Sequence, residues 1–111
     1  MKTSYFAKYK GDNAVSIALS TPKWFSGRIY TLLAPSWDLL NKYKKGEISI
    51  DEYSDIYTKE ILDKLNPQEV YDQLGEDSVL LCWEKSGDFC HRHLVAKWLE
   101  SKLNIKIEEY S

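Results

Sequence analysis

Val79–Leu103, VLLCWEKSGDFCHRHLVAKWLESKL, is the stretch that decides the fold of this chain. It follows Ser78 with an apolar run that continues to Trp83, as is typical of a strand buried on both faces. The polar segment Lys85–Asp88 then predicts a turn. Apolar residues recur at helical spacing over the rest of the stretch, which we expect to be a helix beginning at Phe89. A strand, a turn and a helix in this order are the repeating unit of parallel α/β folds.

Further strands are predicted on both sides of this unit. Ala14–Leu19 (AVSIAL) is apolar and rich in residues that favour strands. Ile105 and Ile107 alternate with polar or charged residues, as in an edge strand, and residues 1–13 are expected to form a short strand or an arm. Helical segments separate the strands, which predicts parallel pairing with right-handed crossovers. The predicted fold is therefore α/β: one small three-layer-like domain over residues 1–111, with a short, mostly parallel sheet and flanking helices.

The middle of the chain predicts three helices that cover one face of the sheet. The first follows Ser36, a residue type that commonly caps helix N-termini. The second follows Ser49, which forms the pattern of a capping box with Glu52. The third lies between Asn66 and Gly75, which are typical of a helix start and a helix end.

Composition limits the classes of protein to which the chain can belong. Its 111 residues are 43% hydrophobic and 14% aromatic, which is enough for one packed core. The net charge of −2 gives no general attraction to nucleic acid or to an anionic membrane. No apolar run approaches the roughly 20 residues that span a bilayer, and the N-terminal residues lack the apolar core of a signal peptide. We therefore expect a cytoplasmic protein whose two cysteines are reduced thiols, without membrane contact.

The carboxyl ends of parallel strands are where ligands usually bind in α/β sheets. The loop Ser20–Tyr30 and the turn Cys82–Arg92 are both expected at that edge. Cys90 begins the predicted helix, where free backbone amides would stabilise a thiolate; it is equally a small apolar residue opening a buried stripe. Cys82 ends the buried strand and has the same two interpretations.

Three charged or titratable residues complete this candidate site. His91 is expected to face the sheet, either as a general acid or base or as a core histidine bonded to a backbone carbonyl. Arg92 lies at the margin of the apolar face, where it needs a carboxylate or a bound anion. Glu84 is the nearest carboxylate, so a structural salt bridge between Glu84 and Arg92 is one interpretation and contact with a ligand is the other.

Spacing argues against two familiar sites built from these residues. Cys82, Glu84, Cys90 and His91 are suitable zinc donors, but the cysteines are farther apart than the roughly two to four intervening residues of a zinc knuckle. Adjacent residues on a helix also project about 100° apart, which would separate Cys90 from His91. We therefore expect no metal site. Cys82 and Arg92 are also farther apart in sequence than the cysteine and arginine of a tyrosine-phosphatase loop, which disfavours that site. An anion could still bind at the start of the predicted helix.

These residues together resemble a known family. Leu80–Glu84, Phe89–Arg92 and the helix that reaches Trp98–Glu100 are similar to the signature of the domain-of-unknown-function family 488. Leu33–Ser36 and the helix Tyr53–Leu65 also resemble it, so the likeness covers the chain from about Ser16 onward. The resemblance implies a compact α/β domain, mostly prokaryotic or phage-borne, whose activity is not established. This chain has no clear counterpart of the family's acidic-arginine element after the first strand. Lys23 or Arg28 would substitute for the positive charge of that element.

The leading functional hypothesis is an enzyme or enzyme-like binder of a small anionic or nucleotide-like compound. Arg92 would hold the anion, assisted by Lys23 or Arg28 across the cleft. Cys82 or Cys90 would be a nucleophile or redox thiol, Glu84 the orienting carboxylate and His91 a proton carrier. No cofactor is assigned.

The alternative is a non-catalytic module that binds nucleic acid or protein through the loop Lys23–Tyr30. Its aromatic and basic side chains suit stacking and phosphate contacts. The overall charge does not favour nucleic acid.

Overall fold

A computed structural model describes residues 1–85 and 87–110 of the chain. Within these residues the backbone forms five strands, four α-helices and two single-turn 3-10 helices. The strands are β1 (Lys2–Tyr5), β2 (Ala14–Ser16), β3 (Arg28–Ile29), β4 (Val79–Cys82) and β5 (Glu108–Glu109). The helices are α1 (Trp37–Lys44), α2 (Ile50–Glu60), α3 (Pro67–Leu74) and α4 (His91–Leu103), with 3-10 turns at Thr31–Leu33 and Leu62–Lys64.

The five described strands form one sheet in the order β3-β2-β4-β1-β5, and each neighbouring pair is parallel. β4 is central: Val79 is in register with Lys2 on one side and with Ala14 on the other. Leu80 and Leu81 are fully buried, which confirms the prediction from the apolar run. Since the strands are parallel, their carboxyl ends share one edge of the sheet.

The two faces of the sheet are covered differently. Leu80 and Val15 face the main core, into which every α-helix contributes a buried residue, namely Leu39, Tyr57, Leu74 and Leu99. Leu81 faces a second core that contains Phe6 and Phe25, which come from the loops after β1 and β2. The α/β prediction is confirmed, with helices on one face and loops carrying aromatic rings on the other.

Local sequence signals set the helix starts. The Ser36 side chain accepts a hydrogen bond from the backbone N–H of Leu39 at 3.1 Å. Ser49 and Glu52 form both bonds of a capping box. The side chain of Asn66 caps α3 in the same way. These three predicted caps are confirmed, because each depends on residues only three positions apart.

Three predicted boundaries differ from those in the structure. α4 begins at His91 and not at Phe89, and Cys90 is the extended residue before it, with φ −151° and ψ 149°. α2 ends at Glu60, where the chain passes into a 3-10 turn instead of continuing to Leu65. The segment Ser20–Tyr30, expected to be a loop, contains β3, because its backbone pairs with β2.

The helices of the described residues do not include one that is long and apolar enough to cross a lipid bilayer.

Tyr57 supplies a test of the main core. Its side chain is 0% exposed and its hydroxyl donates to the Leu33 carbonyl at 2.6 Å. We expect Tyr57→Phe to lower the free energy of unfolding by about 1–2 kcal/mol, because the buried carbonyl loses its donor. Urea denaturation measures this change.

Tyr43→Phe is the matched control. The Tyr43 ring packs against Tyr53 and Phe89, and its hydroxyl makes no hydrogen bond among the described residues. Its free energy of unfolding should change by no more than about 0.5 kcal/mol. Equal losses in the two variants would contradict the role given to the Tyr57 hydroxyl.

Candidate functional site

A cleft of about 340 Å³ opens at the carboxyl edge of the sheet, which we call the carboxyl-edge cleft. Its walls come from the end of β4, the chain after β2 and one side of α1. The residues that line it are Ala18, Leu19, Ser20, Pro35, Trp37, Leu40, Lys44, Cys82, Trp83, Glu84 and His91. The cleft therefore lies where the topology of the sheet predicts a ligand site.

The two cysteines are bonded to each other. Cys82 and Cys90 form a disulfide, and both side chains are buried. The expectation of two separate reduced thiols is therefore wrong for this structure. The sequence placed Cys90 on a helix, but its extended backbone turns its side chain towards the end of β4.

His91 lies beneath the cleft and is only 6% exposed, as predicted for a side chain that faces the sheet. Its Nε2 is 2.7 Å from the carbonyl oxygen of Ile17, beyond the end of β2. A carbonyl oxygen only accepts hydrogen bonds, so Nε2 must carry the proton and Nδ1 keeps its lone pair. Nδ1 is 3.7 Å from the sulfur of Cys90.

Burial governs the charge of His91. Loss of solvation lowers the pKa of His91 to about 4, and the nearby Arg92 charge acts in the same direction. The hydrogen bond to Ile17 opposes this shift but does not overcome it. His91 is therefore neutral near pH 7, and Nδ1 is available as an acceptor.

Arg92 is 0% exposed and is bonded to other parts of the protein. Nε and Nη2 donate to the two carboxylate oxygens of Glu109 at 3.1 and 2.7 Å. Nη1 donates to the backbone carbonyl of Glu84 at 2.7 Å and lies 3.1 Å from the sulfur of Cys82. The predicted salt bridge to the Glu84 side chain is therefore wrong: the partner is Glu109 on β5, which no short-range spacing indicates.

Further hydrogen bonds hold Glu109 in place. The hydroxyl of Thr3 on β1 donates to Glu109 Oε1 at 2.6 Å. The neighbouring Ser4 hydroxyl donates to the carbonyl of Tyr110 at 2.6 Å. These bonds link β1 to β5, so the Arg92–Glu109 pair connects α4 to two strands.

Glu84 stands beside the disulfide and His91. It lines both the carboxyl-edge cleft and a small adjoining pocket with Tyr53, Phe89 and Cys90. Burial raises the pKa of Tyr53, and the negative charge of Glu84 raises it further. The Glu84 carboxylate is thus an electrostatic neighbour of the Tyr53 hydroxyl in the adjoining pocket.

Lys23 and Arg28 are not brought to the carboxyl-edge cleft. Arg28 donates to the carbonyls of Gln73 and Leu74 at 2.7 and 2.8 Å, at the end of α3. It therefore lies towards the amino ends of the strands. Lys23 is exposed in the loop between β2 and β3, and it is not among the residues that line the cleft.

Lys44 is the cation that lines the cleft, together with Trp37 and Trp83, which are 64% and 50% exposed. The sequence analysis gave no site role to Lys44 or Trp37, which belong to a helix predicted only to cover the sheet. No sequence pattern indicates that this side of α1, from Trp37 to Lys44, faces the carboxyl edge of the sheet.

Comparison with known proteins gives one family. The sequence profile of DUF488-N3a, described as the active DUF488-N3 subclade, matches residues 15–103. The matched segment begins within β2 and ends with α4, so it includes all residues that line the carboxyl-edge cleft. Searches among curated proteins and among solved structures found no match. The resemblance inferred from the sequence motifs is confirmed.

The Arg92–Glu109 pair gives a direct test of stability. We expect Glu109→Gln to lower the free energy of unfolding by about 3 kcal/mol, because it leaves a buried guanidinium without its carboxylate. Chemical denaturation at neutral pH measures the loss.

Glu108→Gln is its matched control, since Glu108 precedes Glu109 on β5 and forms a looser, exposed pair with Lys106 at 3.7 Å. The control should change stability by no more than about 0.5 kcal/mol. A loss in Glu109→Gln no larger than in the control would show that the ion pair does not support the fold.

The pH dependence of stability tests the state of His91. Its pKa is about 4 in the folded protein against 6.5 for the unperturbed group, so below pH 6.5 the unfolded chain takes up a proton that the folded protein does not. Stability should therefore fall by about 1.6 kcal/mol between pH 6.5 and 5 in the metal-free disulfide form.

His91→Gln keeps a donor for the Ile17 carbonyl but cannot titrate, so its stability should be flatter over this interval. Half-buried His93 contributes to the slope equally in both proteins and cancels in the comparison. Parallel pH profiles for the two proteins would contradict a neutral, buried His91.

Proposed function

Because the chain belongs to the DUF488-N3a family and its cleft lies at the carboxyl edge of a parallel sheet, we propose that the protein is an enzyme acting on a small anionic, nucleotide-like compound. The observation that carries the proposal is the meeting of Cys82, Glu84 and His91 in one cleft that also contains exposed indole rings and a lysine. Reactive groups, an aromatic surface and a cation are the parts that binding and conversion of such a compound require.

Recognition is assigned to Trp37, Trp83 and Lys44. Exposed indoles offer flat apolar surfaces on which a planar ring stacks. The Lys44 ammonium would bind the anionic group, taking the role first given to Lys23 and Arg28.

The role first given to Arg92, direct contact with the anion, becomes one of positioning. Its guanidinium is occupied by Glu109, the Glu84 carbonyl and the Cys82 sulfur, so it fixes the floor of the cleft. Once the disulfide is reduced, its positive charge would also favour a thiolate at Cys82 over a thiol.

The reacting groups are Cys82, Glu84 and His91, with Cys90 as the disulfide partner. A nucleophilic cysteine requires reduction of the disulfide, since only a thiolate is nucleophilic. Cys82 is then the stronger candidate, because Nη1 of Arg92 lies 3.1 Å from its sulfur. Neutral His91, whose unprotonated Nδ1 lies 3.7 Å from the Cys90 sulfur, would accept the proton, and Glu84 would orient the bound compound.

Binding of nucleotides to the disulfide form tests recognition without involving a free thiol. The probes are adenosine and AMP, and the measurements are titration calorimetry and quenching of tryptophan fluorescence. We expect AMP to bind more tightly than adenosine, and Lys44→Ala to remove most of that difference, about tenfold in affinity. Trp83→Ala should weaken both probes by about fivefold or more, because a stacking surface is lost.

Trp24→Ala is the control, since Trp24 is 57% exposed but lines a separate depression with Lys10 and Phe25. It should leave the affinity for AMP unchanged. If neither probe binds saturably at millimolar concentration, or if Trp24→Ala weakens binding as much as Trp83→Ala, the proposed recognition by the carboxyl-edge cleft is wrong.

The alternative module that binds nucleic acid or protein through Lys23–Tyr30 has one supporting observation. Trp24 is exposed, and the Lys10 ammonium lies 3.5 Å from the centre of its ring, so a basic aromatic surface is present. The polar groups of Arg28 and Tyr30, however, already form hydrogen bonds within the protein. Arg28 donates to the carbonyls of Gln73 and Leu74, and the Tyr30 hydroxyl donates to the Gln73 side chain. The loop therefore supports this alternative less well than the cleft supports a small ligand.

A further inference from the structure

We propose that Cys82, Cys90 and His91 form a zinc site when the disulfide is reduced by a thiol or a phosphine. The three ligand atoms, two sulfurs and one ring nitrogen, lie within 4.8 Å of one another, and all three side chains are buried. Two thiolates and an imidazole are donors that Zn²⁺ prefers. The proposal concerns the metal affinity of this chain and does not depend on nucleotide binding.

The backbone of Cys90 removes the geometric objection raised by the sequence. That objection assumed that Cys90 and His91 project from one helix, but Cys90 is extended and only His91 is helical. As a result the Cys90 sulfur and Nδ1 of His91 are 3.7 Å apart. The corresponding distance between a sulfur and a nitrogen on one tetrahedral zinc ion is about 3.6 Å.

The imidazole is already arranged as a ligand. Nε2 of His91 donates to the Ile17 carbonyl at 2.7 Å, which fixes the ring and leaves the lone pair on Nδ1. A backbone carbonyl on the second ring nitrogen is the usual support of a histidine that binds a metal. The nitrogen facing the two sulfurs is therefore the one able to coordinate.

The two cysteines are also suitably separated. Their Cα atoms are 7.1 Å apart, which exceeds the roughly 4.4–6.8 Å usual for disulfides. On a zinc ion the two sulfurs would stand about 3.8 Å apart, which the wider Cα separation accommodates. Nη1 of Arg92, at 3.1 Å from Cys82, would donate to the bound thiolate and favour its deprotonated state.

Formation of the zinc site takes two steps, reduction of the disulfide and binding of Zn²⁺. Two thiol molecules reduce the Cys82–Cys90 disulfide to two cysteine thiols and are themselves oxidised to a disulfide. A phosphine does the same with one water molecule, which supplies both protons and the oxygen of the phosphine oxide that forms. Zn²⁺ then displaces one proton from each cysteine, and the two thiolate charges neutralise the ion. The disulfide and the metal therefore exclude each other, and in the zinc form the thiolates act as ligands instead of nucleophiles.

The fourth coordination position would open towards the carboxyl-edge cleft. Cys82 and His91 both line that cleft, whereas Cys90 and His91 adjoin only a small pocket on the other side. Three protein ligands with one open position are typical of catalytic zinc, and closed structural sites have four. A water molecule or an oxygen of a bound compound would complete the coordination.

Co²⁺ titration of the reduced protein tests the site. The full chain is reduced with a phosphine under anaerobic conditions, freed of reductant and titrated with Co²⁺ alone. We expect one equivalent to give the visible bands of tetrahedral cobalt and the near-ultraviolet band of thiolate-to-cobalt charge transfer. One equivalent of Zn²⁺ should bleach both, and the disulfide form should show neither.

Variants assign the ligands. Cys82→Ser and His91→Gln should each weaken Zn²⁺ binding by about 100-fold or more, whereas His93→Gln, which changes a neighbouring helical histidine outside the cluster, should bind as the wild type does. Circular dichroism shows whether each variant is folded. If Cys82→Ser is unfolded, the Co²⁺ titration of the reduced wild-type protein decides whether the site exists.

Two results would overturn the proposal: no charge-transfer band in the reduced wild type with equimolar Co²⁺, or wild-type affinity in a folded His91→Gln. The nucleotide test uses the metal-free disulfide form, so its failure and the failure of the zinc site are separate outcomes.

Discussion

The buried ion pair between Arg92 and Glu109 is the interaction on which the arrangement of the site depends. A guanidinium with no exposure to solvent is stable only if its charge and its N–H groups are matched, and here they are matched by a strand carboxylate, a loop carbonyl and a sulfur. The side chain thereby fixes α4 against β5 and holds the backbone at Glu84. Every reactive group of the carboxyl-edge cleft is attached to one of these fixed segments.

The sequence predicted features that depend on neighbours along the chain. The caps at Ser36, Ser49 and Asn66 and the buried strand β4 were all predicted because their signals lie within a few residues. The partner of Arg92 could not be predicted in the same way, because Glu109 meets it only through the pairing of β5 with β1.

The candidate site was predicted in composition but not in geometry. Cys82, Glu84, Cys90, His91 and Arg92 are adjacent in space because the turn that joins them is short. The disulfide depends on a change of backbone conformation at Cys90 that periodicity does not reveal. Lys44 reaches the cleft through the packing of α1, which is a tertiary contact without a sequence pattern.

The position of β1 has a consequence for how the chain acquires its structure. β1 lies between β4 and β5, so the earliest described strand pairs with the two latest, and Thr3 is in register with both Leu80 and Glu109. Such pairings close long loops, whose entropic cost must be met before the contacts stabilise the chain. During synthesis on the ribosome β1 could not pair until most of the chain had emerged, whereas the capped helices could form early. Closure of the sheet, and with it the completion of the site, is therefore expected to be a late step in folding.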